Sequence, residues 1–503
     1  MSNLNAADLT IGVVGAGAMG RGIAQVSITG GMKALLFDAA DGAAAKAEEF
    51  IHGMLDRSVD KGRMEAADAE AAKSRLSVVD TLEGLAPCNL VVEAIVENIA
   101  IKQEVFTALE KVVASDAIIA SNTSSIRIAS IAAACENKDR IAGLHFFNPV
   151  PLMRLVEVIR APHTSDKTAE TLIAIGKFMG RTPVIAKDGP GFLVNLGGRA
   201  YTTEAMRLLH EGVASPAQID AVMRDCCNFR MGPLELADLT GIDVNFPVSQ
   251  IIFNGYFGDQ RLATSPVHEA MQAAGLLGRK TGAGFYTYDS DGTQGGGGEA
   301  ADHTTNVPSA ANVVMIEEDE ELKELFVQAG AQVLTSDDGE SPIVCAPIGE
   351  DCTSAAVRLN ADHSRLVAVD ILTPYDKRIT IMTTPGADMA ARDAVSARLA
   401  ETGIKVTAIN DSFGFIAPRI RAMIANLGCE MAQTGVAGPE DIDTAMTLGL
   451  NYPIGPLALT DAMGAEIVLA LLDAFYGLTG DPRYRPSQWL RRRALLGISA
   501  STV

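Results

Sequence analysis

Positive charge is in short supply in this sequence: 41 Lys and Arg stand against 62 Asp and Glu, a formal net charge of -21. A surface of that sign repels phosphate backbones and anionic lipid, so nucleic acid is excluded as the expected partner. Long apolar runs are also missing. No stretch approaches the roughly 18 consecutive apolar residues of a membrane helix, so no membrane association is expected. The N-terminal segment has no basic stretch leading into an apolar core, and a cytoplasmic location is the expectation. Cysteine is sparse and odd in number, seven residues at 88, 135, 226, 227, 345, 352 and 429 without C-x-x-C spacing. That pattern fits reduced thiols better than a zinc or disulfide framework. The adjacent Cys226 and Cys227 read as buried reduced thiols, with redox activity as the lesser alternative.

What is present is enough chain, 503 residues, for several hydrophobic cores. Short apolar runs at Thr10 to Val14, Ala34 to Phe37, Leu90 to Val92, Ile118 to Ala120 and Leu144 to Phe147 alternate with helical stretches such as Arg21 to Ser27 and Lys102 to Val113. Alternation of this kind predicts an α/β Rossmann-like, doubly wound parallel sheet over residues 1–186. Long helical segments then predict a mainly α-helical domain over 187–288, ending in a strand signal at Phe285 to Tyr288. A glycine-rich linker is expected at 289–311, with Gly295 to Gly298 in succession, and a small αβ segment of unknown role at 312–409.

The helical domain recurs at 410–503. Asp188-Gly-Pro-Gly-Phe192 matches Asp411-Ser-Phe-Gly-Phe415, Ile219-Asp220 matches Ile442-Asp443, Gly232-Pro233 matches Gly455-Pro456, and Asp238 matches Asp461. All share one offset of 223 residues (411 minus 188, 461 minus 238), which argues for duplication. The copy is degenerate: Asn195 is replaced by Pro418, and no glycine fingerprint lies between Asn312 and Ile409.

Gly15-Ala-Gly17-Ala18-Met19-Gly20 follows the first strand, opens a helix, and is followed by Asp38 at the end of the second strand. In that context the motif predicts a dinucleotide site. Gly15 permits the turn, Gly17 lets a pyrophosphate approach the backbone, and Gly20 lets the helix pack. Asp38 accepts from a ribose 2′-hydroxyl and repels a 2′-phosphate, so NAD is the expected cofactor.

His145 and Glu157 lie six residues to either side of Pro151, between two apolar runs. A symmetric antiparallel turn sets them opposite one another, with Cβ atoms roughly 5 Å apart. A carboxylate inside an apolar strand needs a partner, and one bonded to imidazole fixes its tautomer and stabilises its protonated form. From spacing alone, a pair that merely braces the hairpin fits equally well. The dinucleotide motif favours chemistry, because a hydride acceptor needs a base nearby and the other six histidines lack an apolar strand setting.

The strings Val14 to Gly20, Glu93-Ala-Ile-Val-Glu97-Asn98, Ser121-Asn-Thr-Ser124-Ser125, Gly143 to Pro151, Asp188 to Asn195, Met231-Gly-Pro233 and Gly278-Arg-Lys280-Thr-Gly-Ala-Gly-Phe285 together resemble the 3-hydroxyacyl-CoA dehydrogenases of fatty-acid and related degradation. The resemblance implies His145 as catalytic base, Glu157 as its partner, and Ser124 and Asn195 as holders of the substrate's oxygens. It places Glu97, Lys102, Asn148 and Lys280 along the cofactor or acyl-CoA, and a CoA grip at about Gly42 to Lys73, where Lys61, Arg63 and Lys102 meet phosphates. The longer chain resembles bacterial members acting on 3-hydroxybutyryl-CoA or 3-hydroxyadipyl-CoA in fatty-acid or phenylacetate-type breakdown. Two-domain members dimerise through the helical domain, so the duplicate is expected to pack on the first copy within one chain, with a homodimer still possible. Two alternatives are a lens structural protein of the same fold and a β-hydroxyacid dehydrogenase with a lysine base. Retention of all four polar residues argues against the first, and Asn195 in place of Lys against the second.

Overall fold

The computed structural model describes residues 4–292, 294–295 and 301–503; part of the expected linker, residue 293 and residues 296–300, lies outside the described residues. The chain forms two compact units, Met1–Leu196 with Thr434–Leu450, and Gly197–Gln433 with Asn451–Val503. Among the described residues no helix is long and apolar enough to cross a membrane, and no cluster of three metal-ligating side chains occurs.

The first unit is built on eight strands: β1 (Thr10–Val14), β2 (Lys33–Phe37), β3 (Leu76–Val78), β4 (Leu90–Glu93), β5 (Ile118–Ser121), β6 (Ile141–Phe146), β7 (Leu155–Arg160) and β8 (Thr182–Lys187). Their order is β3-β2-β1-β4-β5-β6-β7-β8, and only β6 and β7 run antiparallel. β1 pairs with β2 on one side and β4 on the other, so the topological switch point falls between β1 and β4, where open α/β sheets bind ligands. β3 and β8 were not legible as strands. β3 has three residues, and β8 carries Pro183, which an edge strand tolerates because one side of its ladder is unpaired.

The second unit contains more sheet than the sequence suggests. β9 (Asn312–Val314), β10 (Gln332–Leu334), β11 (Ile343–Cys345), β12 (Leu366–Val369), β13 (Arg378–Thr383) and β14 (Lys405–Ile409) form a sheet ordered β10-β9-β11-β12-β13-β14, with β12 and β13 antiparallel. β13 begins 223 residues after β7, and β14 begins 223 after β8. Asp188 accepts the amides of Ile128 (3.0 Å) and Ala129 (2.8 Å), capping helix Ile128–Ala132; Asp411 does the same for Cys352 (2.7 Å) and Thr353 (3.1 Å) on helix Cys352–Leu359. The duplication therefore includes this sheet, a reduced version of the first. Where β1 is followed by glycines, β9 is followed by Met315-Ile-Glu-Glu-Asp-Glu-Glu321, an acidic turn that repels phosphate. The strand signal at Phe285 to Tyr288 resolves only into isolated bridges, because Asp238 instead takes the Phe285 and Tyr286 amides, each at 3.0 Å.

The helical copies exchange elements. Helix Pro439–Leu450, second-copy sequence, belongs to the first unit: Lys187 N donates to Val436 O at 2.7 Å and Ile185 N to Asp441 at 3.1 Å. Its counterpart 223 residues earlier, helix Pro216–Cys227, lies on β13 and β14 in the second unit, where Asn410 N donates to Val213 O at 3.0 Å and Gln218 to Ala408 O at 2.9 Å. Also in the second unit, helix Arg199–His210 packs on helix Ala417–Gln433, so the expected contact of one copy with the other occurs. A fragment ending at residue 288 loses the partners of Ile185 and Lys187. It is expected to self-associate or aggregate, and a monodisperse monomer in sedimentation velocity would refute this account of the exchange.

Candidate active site

β6 and β7 place His145 directly opposite Glu157 in the antiparallel register. The Glu157 side chain is fully buried, which costs several kcal/mol for an unpaired carboxylate, so every contact it makes matters. Oε2 lies 2.5 Å from His145 Nδ1, while Oε1 accepts the backbone amides of Leu193 (3.0 Å) and Val194 (2.9 Å). Those amides face the carboxylate because Gly191 (φ +77°) and Phe192 (φ +48°) turn the chain through the left-handed region, strained for a side chain as large as Phe. Phe147 and Phe192 flank the imidazole, with ring centroids at 4.5 and 6.0 Å. The carboxylate is thus held on both edges and cannot rotate away from the ring.

Ser124 and Asn195 meet at the same end of the sheet: Asn195 Nδ2 donates to the Ser124 carbonyl at 3.4 Å, and the Ser124 side chain is exposed. Asn122, two residues earlier, accepts the Phe146 amide at 2.8 Å, tying the loop after β5 to the strand that carries His145. Glu97 accepts the hydroxyls of Thr123 and Ser125 and lies 3.3 Å from Lys102 Nζ. Burial opposes its charge, but these hydroxyls and the ammonium outweigh burial and hold its carboxyl below the usual range.

Lys102 is not the open phosphate contact that the family pattern suggested. Its side chain is 1% exposed and its ammonium sits 2.7 Å from Glu93, a fully buried carboxylate that also takes Ser121 Oγ and the Ile95 amide, both at 2.7 Å. An ammonium spent on two carboxylates has little charge left for a phosphate. Glu93 and Ser121 were missed as members of this network, although an acidic residue inside an apolar strand is the same signal that singled out Glu157. Asn148, Lys61 and Arg63 are exposed, and Lys280, in the second unit, pairs with Asp243.

The glycine loop separates into distinct demands. A Cβ on Gly15 (φ +103°) would lie 2.6 Å from Ala94 O, and one on Gly20 would lie 1.7 Å from Gly15 O. A Cβ on Gly17 meets nothing within 4 Å, although its φ of -67° suits any residue. Gly17 is therefore bare for the sake of something outside the protein. It caps helix Ala18–Thr29 without a side-chain hydrogen bond, which leaves the first-turn amides around Ala18 and Met19 to an anion. Asp38 accepts the amides of Ala16 (2.7 Å) and Ala40 (2.9 Å) and, with about four lone-pair positions, keeps capacity for a ribose hydroxyl. These residues fit a dinucleotide. Gly17→Ala is expected to leave the melting temperature unchanged while weakening NADH binding at least about ten-fold, a loss of roughly 1.4 kcal/mol. Gly20→Ala is expected to lower the melting temperature. Fluorescence titration and thermal unfolding distinguish the two, and a Gly17→Ala protein with normal NADH affinity would exclude this loop as the phosphate site.

A family model for the 3-hydroxyacyl-CoA dehydrogenase NAD binding domain matches residues 10–189, and one for the C-terminal domain matches 191–288 and again 414–499. The chain is 37% identical over 488 residues to a 3-hydroxyadipyl-CoA dehydrogenase of Escherichia coli, covering 97% of this chain and 98% of that protein. It is 41% identical over 280 residues to a probable 3-hydroxybutyryl-CoA dehydrogenase of Deinococcus radiodurans, covering 56% of this chain and 100% of that one. A crystal structure of 3-hydroxybutyryl-CoA dehydrogenase from Escherichia coli superposes with a TM-score of 0.83 at 35% identity, over 97% of this chain and 98% of that one.

Proposed function

The chain belongs to the 3-hydroxyacyl-CoA dehydrogenase family and is an NAD-dependent enzyme of that class; from that premise we propose that it oxidises short (S)-3-hydroxyacyl-CoA thioesters, such as 3-hydroxybutyryl-CoA or 3-hydroxyadipyl-CoA, to 3-oxoacyl-CoA. The observation that carries the site assignment is the Glu157 carboxylate clamped between His145 Nδ1 and two backbone amides. So held, Glu157 keeps the proton on Nδ1 and leaves Nε2 as the base that takes the 3-hydroxyl proton. NAD, when bound, accepts the hydride from C3. As the C3–O bond becomes a carbonyl, His145 carries the proton and Glu157 offsets its charge. Ser124 and Asn195 are assigned to the substrate's oxygen, a role for which their side chains supply hydrogen-bond donors.

The proposed chain length draws support from relatives whose names carry a C4 or C6 acyl group, and fatty-acid or phenylacetate-type degradation is the setting proposed with it. We also propose a division into four domains, 1–186, 187–288, 312–409 and 410–503, with 289–311 as a linker. The decisive measurement is NADH oxidation across a series of 3-oxoacyl-CoA substrates that includes acetoacetyl-CoA and 3-oxoadipyl-CoA. The expected result is the highest kcat/KM at four or six acyl carbons. A maximum at long chains would overturn the substrate proposal; no turnover at any length, with NADH bound, would overturn the site assignment.

A further inference from the structure

Residues 485–503, in the second unit, hold four arginines and no Asp or Glu, in a chain whose net charge is -21. Two of the four are spent: Arg491 pairs with Asp473 at 2.6 Å, and Arg493 stacks on Trp489 and donates to the Thr502 carbonyl. Arg492 is exposed and has no carboxylate within 4 Å among the described residues. On helix Gln488–Leu496 it shares the outer face with Leu495 and Leu496, which follow it at i+3 and i+4 and are 74% and 70% exposed. One exposed leucine is ordinary, whereas two beside an unspent arginine form a basic and apolar strip without a cover.

The opposite charge lies nearby in the same unit. Where β9 ends, Glu317, Glu318 and Asp319 border a cavity of about 420 Å3 together with Ile348, Glu350 and Arg358. Arg358 is gripped by Glu317 and Glu350, each at 2.9 Å, and Asp319 caps its own helix through the Leu322 amide. Glu318 is left with only Lys323 Nζ, at 3.9 Å, and Ile348 on the rim is exposed. Helix Ala465–Thr479 separates this acidic cavity from the basic strip. Gly349 seats the cavity's loop on that helix, since a Cβ there would lie 2.7 Å from the Ala474 Cβ, while Asp473 holds helix Gln488–Leu496 through Arg491. Neighbouring residues of a helix point about 100° apart, so cavity and strip flank one face of it, Glu466, Ala470, Asp473 and Gly477, and that face is exposed.

We propose that this face binds a second copy of the chain about a twofold axis parallel to helix Ala465–Thr479, so that Arg492 of each copy meets Glu318 of the other while Leu495 and Leu496 cover Ile348 and the cavity. Acid on one flank and base on the other is self-complementary under that operation. Two chains of charge -21 repel one another, so self-association needs such a local reversal of sign. Ala470 and Gly477, small residues on the exposed face, let the two helices approach closely.

The test is sedimentation velocity of the full chain over about 0.1–100 µM. The expected result is a reversible monomer–dimer equilibrium, with Leu496→Glu and Arg492→Glu each raising the dimer Kd about ten-fold or more. Adding Glu318→Arg to Arg492→Glu is expected to restore most of the affinity, because the pair is rebuilt with its signs exchanged. These side chains are exposed and lie outside the catalytic site, so kcat and melting temperature stay unchanged. A monomer at every concentration, a dimer indifferent to Leu496→Glu, or no recovery in the charge-exchanged double variant would each overturn the proposal. So would a monomer that sediments with phosphatidylglycerol vesicles, which would assign the strip to a lipid surface.

Discussion

His145→Gln is expected to lower kcat for acetoacetyl-CoA reduction by about 10²- to 10⁴-fold, the range for removing a general acid or base, with NADH affinity nearly unchanged. Gln keeps a donor for Glu157 Oε2, so the buried carboxylate stays paired and the β6–β7 pair keeps its register. What is lost is the nitrogen that exchanges a proton with the substrate oxygen. Glu157→Gln tests the same assembly from the other side. Its amide replaces an acceptor that serves the Leu193 and Val194 amides on one edge and His145 on the other. The variant is expected to lose kcat and to shift its pH profile, because the imidazolium is no longer offset. Steady-state rates with fluorescence titration of NADH provide the measurement. Near-normal kcat in His145→Gln would remove His145 as the base without touching the family assignment.

The second large effect is on stability. Glu204, on helix Arg199–His210, is fully buried between two arginines: Arg419 Nε donates to Oε1 and Arg483 Nε to Oε2, both at 2.6 Å, with Tyr484 donating to Oε1 at 2.9 Å. The arginines are 0% and 1% exposed, so removing Glu204 leaves Arg483 in the core without a carboxylate and Arg419 with only Glu211, at 2.8 Å. Glu204→Gln is expected to cost about 3–5 kcal/mol, read as a lower urea midpoint. The triple variant Glu204→Leu, Arg419→Met, Arg483→Met is expected to recover much of that loss, because well-packed apolar groups replace buried ions at little cost. Burial opposes ionisation of Glu204, yet Arg483 and Arg419 prevail and hold its carboxyl down at about 2. A depressed folded value gives stability that is complete above the unfolded value near 4.5 and lost as pH falls through about 2. Wild type is therefore expected to weaken across that acid window more steeply than Glu204→Gln. Parallel acid titrations of the two would rule out this cluster as the determinant.

The repeat equivalents of Glu204, Arg419 and Arg483 are Leu427, Leu196 and Gln260, so the duplication does not reproduce the cluster. No periodicity or motif points to it, since each member is an isolated charge in a helical or loop segment. The catalytic pair was legible for the opposite reason. A turn symmetric about Pro151 and an acid in an apolar strand are local facts, and strand pairing converts them directly into distance. The same logic reached Glu93 only afterwards, because its partner Lys102 lies on a helix whose approach to the sheet is a packing outcome. Two strands of the second sheet were legible as the apolar runs Leu366 to Ile371 and Arg378 to Met382, where β12 and β13 form; its other strands were not, since strand positions interchange Val, Ile, Leu and Ala freely and the repeat survives there as spacing without identity.

Composition, the glycine loop with Asp38, the opposition of His145 and Glu157, and the 223-residue repeat were determined by the sequence itself, because each depends on neighbouring residues or on counting along one chain. The clamp on the second Glu157 oxygen, the burial of Lys102, the exchange of helices Pro216–Cys227 and Pro439–Leu450, and the Glu204 cluster were decided only by tertiary structure. Their energies come from bringing charges and amides from nine to 280 residues apart into one dry volume, where a partner's identity is set by packing and not by sequence distance.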